Sequence, residues 1–489
     1  MTTADLLVDR LASLLPAGDA RLVLVPAGAE ELADALAARG LAATSTAALT
    51  SGATPPGIPA AVAEQRWETV VLLADRHDAA ALLTPLLEPL RAAMAERGRI
   101  WVAATFGTSA SGGTDPRALT IALSEHGFVV QRQQPLDDDN ATPRRELWTA
   151  RREAYRVRDY RPGDESQILP IFEGSFFVPR SLERWSWEYR ENPYGNLNIS
   201  EAFAEDGQLV AHYAGYPVRF RLPGRAEPVT ALHIGDTMTL PGVRHVGRGP
   251  TSLLGRTVRH FYARFCEGRV AFNFGFNTGN IQRFSMAFVG AQRLEDLPYH
   301  VLPLPAAGLA EAAGAGRRWL PSPLRAWSCE LVDRFDSRFD ELFTRVAPRY
   351  GMLVERDARY LDWRYGRQPG GEYRVYACSH RGRLVAWSVF RRRQDALVWG
   401  DVLCDPRSPD AVRRLLAHAL AQPEHAGVAR VDTWATARPG WWRPLLRSIG
   451  FEERPDPQGL GLVFVPFEID PAEPMRTHLY YTMGDSDLF

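Results

Sequence analysis

Along the first 150 residues, short apolar runs alternate with stretches whose apolar positions recur every three to four residues. A bounded apolar run of four to eight residues predicts a strand, and a 3.6-residue period predicts an amphipathic helix. Arg21–Val25 is then a strand, and a helix carrying Leu32, Ala33, Leu36 and Ala37 closes at Gly40. Trp67–Ala74 is a buried strand, a helix runs through Leu90 and Met94 to Gly98, and Arg99–Ala104 is the next strand. Gly127–Val130 and Glu146–Ala150 are the last two, the latter preceded by a polar, turn-rich stretch, Gln134–Arg145. Strands separated by helices in this order predict an α/β, Rossmann-like domain.

The pattern restarts at Tyr155 with a strand, the turn Pro162-Gly163-Asp164 and an amphipathic helix. Beyond it the sequence repeats at long period. Trp187-Glu188-Tyr189 with Pro193 recurs as Trp363-Arg364-Tyr365 with Pro369, and Gly207-Gln208-Leu209-Val210-Ala211 as Gly382-Arg383-Leu384-Val385-Ala386. Gly235-Asp236 with Pro241 recurs as Gly400-Asp401 with Pro406, and Val289-Gly290 as Ile449-Gly450. The offsets drift from 176 through 175 and 165 to 160, as loop-sized deletions would make them, so the C-terminal two-thirds reads as a tandem duplication. The expected division is 1–153, 154–318 and 319–489.

One segment of the first copy carries specific chemistry. Ala231–Leu240 is a strand, Pro241-Gly242 a turn, and from Pro250 a helix places Leu253, Leu254, Val258, Phe261 and Tyr262 on one face. Between them lies Arg244-x-x-Gly247-x-Gly249. Two glycines let backbone approach a ligand, the helix start offers free N–H groups, and Arg244 and Arg248 add charge, which together suit a pyrophosphate. The second copy reads Pro406-Arg407-Ser408-Pro409-Asp410 here, without glycine and with Asp410 where phosphate would sit.

This strand–[RQ]xxGx[GA]–helix arrangement resembles the coenzyme A signature of the GNAT acyltransferase superfamily, across about 155–489. The resemblance implies two α/β GNAT folds, the first binding acyl-coenzyme A and the second having lost that capacity. It implies an opening between two strands where Thr237, Met238 and Thr239 meet the pantetheine arm. It also implies a pyrophosphate on the backbone of His245, Val246, Gly247, Arg248, Gly249 and Pro250, with Asn277 and Asn280 beside the cofactor, although turn capping explains both asparagines equally. The strand order of residues 1–153 resembles a class I methyltransferase, but the turn after its first strand, Pro26-Ala27-Gly28, lacks the glycine-rich methyl-donor loop.

Acyl transfer to an amine needs a base for the ammonium proton and an acid for the departing thiolate. Asp236, just before the cofactor-contacting residues, is the base candidate, although its counterpart Asp401 lies in the degenerate copy. His233, on the same strand, is a second candidate or a packing residue. The tyrosine that many GNAT enzymes use as acid is absent, and Ser285 and Met286 stand at its place; the Ser285 hydroxyl or a water would serve instead. Some tandem relatives present a terminal carboxylate, which here would make Phe489 the base. Phe176, Phe177, Trp185, Trp187 and Tyr189 lie where acceptors enter such folds, and read equally as core.

Composition narrows the class. The 489 residues carry 57 basic and 58 acidic side chains, so no field gathers nucleic acid or membrane. There is no lysine, which excludes lysine Schiff-base chemistry. Cys266, Cys329, Cys378 and Cys404 are far apart, and the eleven histidines show no paired spacing, so neither a disulfide framework nor a metal is expected. Asp5 and Asp9 stand where a signal peptide carries positive charge, and a cytoplasmic protein is expected. The expected reaction transfers an acyl group from acetyl-coenzyme A, or another acyl-coenzyme A, to an amine. Three alternatives stay open: a coenzyme A-binding protein without catalysis, a GNAT-like decarboxylase or carrier-protein loader, and a methyltransferase with GNAT adaptors.

Overall fold

The computed structural model describes residues 3–14, 21–26, 29–39, 41, 43–45, 66–74, 78–106, 114–136, 144–195, 197–277, 279–304 and 326–489. The protein is mixed α/β with three sheets. It divides into two compact units: Met1–Val178 with Ile199–Tyr213 and Thr237–Glu267, and Pro179–Asn198 with Ala214–Asp236 and Gly268–Phe489. The boundary expected at 153/154 falls inside the first unit, and that at 318/319 lies outside the described residues.

Unit one begins with strands β1 (Arg21–Val25), β2 (Ala43–Ser45), β3 (Trp67–Ala74), β4 (Met94–Phe106), β5 (Phe128–Pro135) and β6 (Arg144–Arg152), ordered β2-β1-β3-β4-β6-β5. β1 pairs in parallel with β2 and β3, and β3 with β4. β6 is antiparallel to both β4 and β5, so β5 runs in the direction of β4. Alternation buries both faces: Leu22, Leu24, Val70 and Leu72 pack with helices Ala79–Leu83, Leu87–Ala93 and Pro116–Glu125, while Val23, Val25, Val71 and Leu73 pack with Glu30–Ala37. Each such side chain contributes about 1.5–3 kcal/mol of burial. The helix expected to reach Gly98 stops at Ala93, because Met94 is drawn into the ladder opposite Trp67 across a bulge. The expected turn-rich stretch begins as strand, since β5 continues to Pro135; residues 137–143, and Ala27 and Gly28 of the first turn, lie outside the described residues.

The unit continues with β7 (Tyr155–Asp159), antiparallel to β8 (Asn198–Ala204), the first residues of β9 (Leu209–Arg221) and the last of β10 (Val229–Thr239). Val157, Ala202, Val210 and Ala211 form a core with Leu253 of helix Leu253–Phe261.

Unit two holds the rest of β9 and β10, then β11 (Phe272–Asn277), β12 (Gln292–Asp296), β13 (Tyr299–Pro303), β14 (Trp327–Leu331), β15 (Leu353–Val354), β16 (Arg374–His380), β17 (Arg383–Arg393), β18 (Ala396–Cys404), β19 (Arg430–Trp434), β20 (Glu452–Glu453) and β21 (Gly461–Pro466). One sheet runs β12-β21-β11-β10-β9, the other β14-β16-β17-β18-β19-β13-β20. Strands are exchanged: β21, late in the chain, inserts antiparallel between β11 and β12, while β13, which precedes the second sheet's other strands, inserts antiparallel between β19 and β20. Trp187 and Trp363, both buried, stack at 5.3 Å. Trp187 Nε1 donates to the Trp363 carbonyl at 2.6 Å, and Trp363 Nε1 to the Trp187 carbonyl at 2.8 Å. No described helix is long and apolar enough to cross a membrane.

Candidate functional site

In unit one the loop after β10 folds as a 3₁₀ turn, Pro241–Val243, a bend, and a second turn, Gly249–Thr251. The helix starts at Leu253, not Pro250, because the Ser252 hydroxyl caps it by accepting from the Gly255 N–H at 3.1 Å. Gly247 has φ +71°, and a Cβ there would lie 2.2 Å from the Thr251 carbonyl oxygen, so only glycine closes this loop. Val246 donates to Val243 at 3.0 Å, Thr251 to Arg248 at 3.0 Å and Leu253 to Val246 at 3.1 Å. The intervening amides of Gly247, Arg248 and Gly249 donate to no acceptor among the described residues. Arg244, His245 and Arg248 are exposed, Val246 is half-buried, and Arg244 Nε leans on the Thr239 carbonyl at 3.2 Å. Pro250 has no N–H, so it shapes the loop without donating. Of the strand residues before it, Thr237 is half-buried, Met238 is buried, and the Thr239 hydroxyl is buried without a partner. The result is a short cationic nest of outward amides.

Unit two holds the candidate catalytic groups. The registered pairing of β10 with β11 covers only Leu232–Asn273 and His233–Phe274, whereas β11 keeps its ladder with β21 as far as Asn277. Just past that point Asp236 is buried and gripped by Arg180, whose Nη2 donates to Oδ1 at 3.0 Å and whose Nη1 donates to Oδ2. Arg180 Nη2 also lies 3.6 Å from Glu188 Oε2. Both oxygens of the carboxylate are thus committed to the guanidinium. Beside Gly235 stand the Tyr189 hydroxyl and the carboxylate of Asp487. Burial, then the charges of Glu188 and Asp236, push the Asp487 carboxyl up to about 7. Its side chain keeps 25% exposure, and its Oδ1 lies 3.9 Å from His233 Nε2. Burial, with Arg364 nearby, pushes His233 down to about 3, so its imidazole is neutral, and neither ring nitrogen has a hydrogen bond.

Among the described residues no hydrogen bond or ion pair joins Asn277, Asn280 or Ser285 to this cluster. The Asn277 carbonyl accepts from Gln282 at 3.4 Å, and the exposed Asn280 accepts from Arg283, within the turn that opens helix Gly279–Phe288. Ser285 is half-buried on that helix. Sequence reasoning missed Arg180, Glu188 and Asp487. The repeat contained a signal for the first, since Arg180 and Arg356 stand apart by the same 176 positions as the two tryptophans.

A second Arg–Asp cluster surrounds Asp401. Arg356, fully buried, donates through Nε to Asp401 at 3.1 Å and through Nη2 to Asp485 at 2.6 Å, and the Tyr365 hydroxyl donates to Asp401 at 2.8 Å. At Gly400 the open space is taken by the Phe489 ring. The Tyr373 hydroxyl donates to the Phe489 carbonyl oxygen at 2.6 Å. Phe489 therefore sits at Gly400, not beside Asp236, which corrects its assignment as the first copy's base. Arg364 holds the approach, donating to the carbonyls of Gly484 at 3.1 Å and Ser486 at 2.6 Å. The aromatic cluster also divides: Trp185, Trp187 and Tyr189 are core, while Phe176 and Phe177 are exposed. A 510 Å³ cavity lined by Tyr299, Arg393, Arg430, Trp434 and Phe489 includes, of the residues singled out from the sequence, Phe489 alone.

Residues 156–287 match the family model of an acetyltransferase (GNAT) domain. No curated protein sequence matches the chain. Among solved structures, a GCN5-related N-acetyltransferase from Anabaena variabilis ATCC 29413 is 12% identical, with TM-score 0.46 over 63% of this chain and 72% of that one. A conserved protein from Enterococcus faecalis V583 is 11% identical, with TM-score 0.48 over 66% and 74%. The Saccharomyces cerevisiae N-myristoyltransferase with bound myristoyl-CoA is 11% identical, with TM-score 0.43 over 69% and 86%.

Proposed function

We propose that the protein is an acyltransferase moving an acyl group from acetyl-coenzyme A, or a longer acyl-coenzyme A, to an amine. The observation that carries this reading is the Arg244–Gly249 loop inside the GNAT match, with outward amides at Gly247, Arg248 and Gly249 between exposed arginines. These groups fit a pyrophosphate. Thr237, Met238 and Thr239 would contact the pantetheine arm, His245, Val246 and Pro250 would shape the loop, and Asn277 and Asn280 would flank the cofactor.

In this reading Asp487 is the general base, because a carboxyl near pKa 7 is half ionised at neutral pH. It removes a proton from the acceptor ammonium, and the amine nitrogen bonds to the thioester carbonyl carbon. The tetrahedral intermediate then breaks its carbon–sulfur bond, and the proton that the nitrogen loses is relayed through the Ser285 hydroxyl or a water to the departing thiolate. Asp236 and His233 set the field around Asp487.

We read 154–318 and 319–489 as two GNAT copies and 1–153 as a Rossmann-like, methyltransferase-like domain. The reciprocal tryptophan bonds, the exchanged strands and the repeated Arg–Asp pairs support the duplication. The Arg180 grip on Asp236 favours one second reading, coenzyme A binding without turnover. Calorimetric titration of acetyl-coenzyme A into wild type and Gly247→Asp, followed by thiol release with an amine panel, decides between them. Saturable binding lost in the variant, with amine-dependent thiol release, supports transfer; binding without release supports the second reading, and no binding removes both.

A further inference from the structure

Unit one gathers three side chains from distant positions in the chain. Glu125 ends helix Pro116–Glu125, Asp159 ends β7, and His260 is near the end of helix Leu253–Phe261. His260 Nε2 lies 3.9 Å from Glu125 Oε1 and 4.0 Å from Asp159 Oδ1. Donor atoms from all three fall within 4.8 Å of one another. These distances are too long for hydrogen bonds, yet the His260 side chain is 0% exposed and its Nε2 has no partner. Asp159 Oδ1 is likewise buried and unpartnered.

The surroundings orient each group toward a common point. His260 Nδ1 is 2.8 Å from Ser200 Oγ, which can accept its N–H and leave the Nε2 lone pair facing the carboxylates. Arg264 Nε donates to Asp159 Oδ2 at 2.7 Å, so Oδ1 is the oxygen left for the cluster. Glu125 stands at a helix C-terminus, where the peptide dipoles favour a cation.

We propose that Glu125, Asp159 and His260 bind one divalent transition-metal ion, with Zn²⁺ as the reference cation. One imidazole nitrogen and two carboxylate oxygens suit Zn²⁺ or Mn²⁺ better than Mg²⁺ or Ca²⁺. Ligation at about 2.0–2.2 Å draws the donor atoms in by roughly half an ångström. Glu125 and Asp159 are 36% and 29% exposed, so water completes the coordination. The ion ties the Pro116–Glu125 helix to β7 and the Leu253–Phe261 helix. The ligands stand 34 and 101 positions apart, which is why spacing along the chain gives no metal signature.

The test is calorimetric titration of ZnCl₂ into the chelator-stripped full chain, with melting temperature followed in parallel. One site per chain is expected. Affinity should fall at least about tenfold in His260→Ala and Glu125→Gln, and about tenfold in Ser200→Ala, which alters only the second ring nitrogen's partner. Zn²⁺ should raise the melting temperature of wild type and not of the two ligand variants. Glu125→Gln keeps shape at a partly exposed position, so its result stands even if His260→Ala misfolds. Equal titration of wild type and Glu125→Gln, uptake of neither Zn²⁺ nor Mn²⁺, or tighter binding of Ca²⁺ or Mg²⁺ would each overturn the proposal.

Discussion

Asp236 and Asp487 show how neighbours decide what a carboxylate can do. The first has both oxygens on Arg180; the second has Glu188 and Asp236 for company and a partly open side chain. If Asp487 is the base, kcat/KM rises with pH through about 7, because the ionised form is the active one, and Asp487→Asn loses that limb with activity down about 10²–10⁴-fold. Folding responds with the opposite trend. A carboxyl raised from near 4 to about 7 favours the folded state below about pH 4, and that stability is lost as pH rises through 7, so Asp487→Asn flattens the wild-type decline in denaturant midpoint. At Gly247, alanine meets the Thr251 carbonyl and a left-handed backbone, and coenzyme A affinity measured by calorimetry should drop at least about tenfold. Gly247 and Asp236 drew notice in the sequence because they belong to a compact strand–loop–helix motif. Asp487 did not, because its meaning comes from a chain segment some 250 positions later folding back beside Gly235.

Elements were read correctly where local pattern and tertiary pairing agree. Arg21–Val25 and Trp67–Ala74 are strands with the expected bounds, each a bounded apolar run inside a parallel sheet. Met94 shows the reverse: helical period carries past it, but pairing with Trp67 takes its backbone into β4. The start of the Leu253–Phe261 helix shifted for a similar local reason, since Ser252 supplies the cap and leaves Gly249–Thr251 as a separate turn. Ser252→Ala should therefore cost about 1 kcal/mol in urea unfolding and weaken coenzyme A binding, because the cap fixes the loop's exit.

For the whole molecule, the long repeat raised the expectation of a tandem duplication and carried no information on which sheet receives β13 or β21. Hydrophobic pattern identifies a strand and says little about which sheet receives it, so the placement of β13 and β21 required the fold. Two chains, one ending after Leu304 and one beginning at Ala326, should copurify when coexpressed and aggregate when expressed singly. Without its inserted strand, each sheet exposes the ladder edges of β11 and β12, or of β19 and β20. A double-mutant cycle of Trp187→Phe and Trp363→Phe should give a coupling of about 0.5–3 kcal/mol, since each indole serves the other's carbonyl.

The exchanged strands also bear on heredity. A sheet finished by a strand from a remote part of the chain cannot be shuffled as one contiguous segment without leaving an edge open. Point substitution remains free to act on each site alone, so Gly235 can keep Asp487 beside it while Phe489 fills the space at Gly400. Gain, loss and transfer of the pair, by contrast, must happen together.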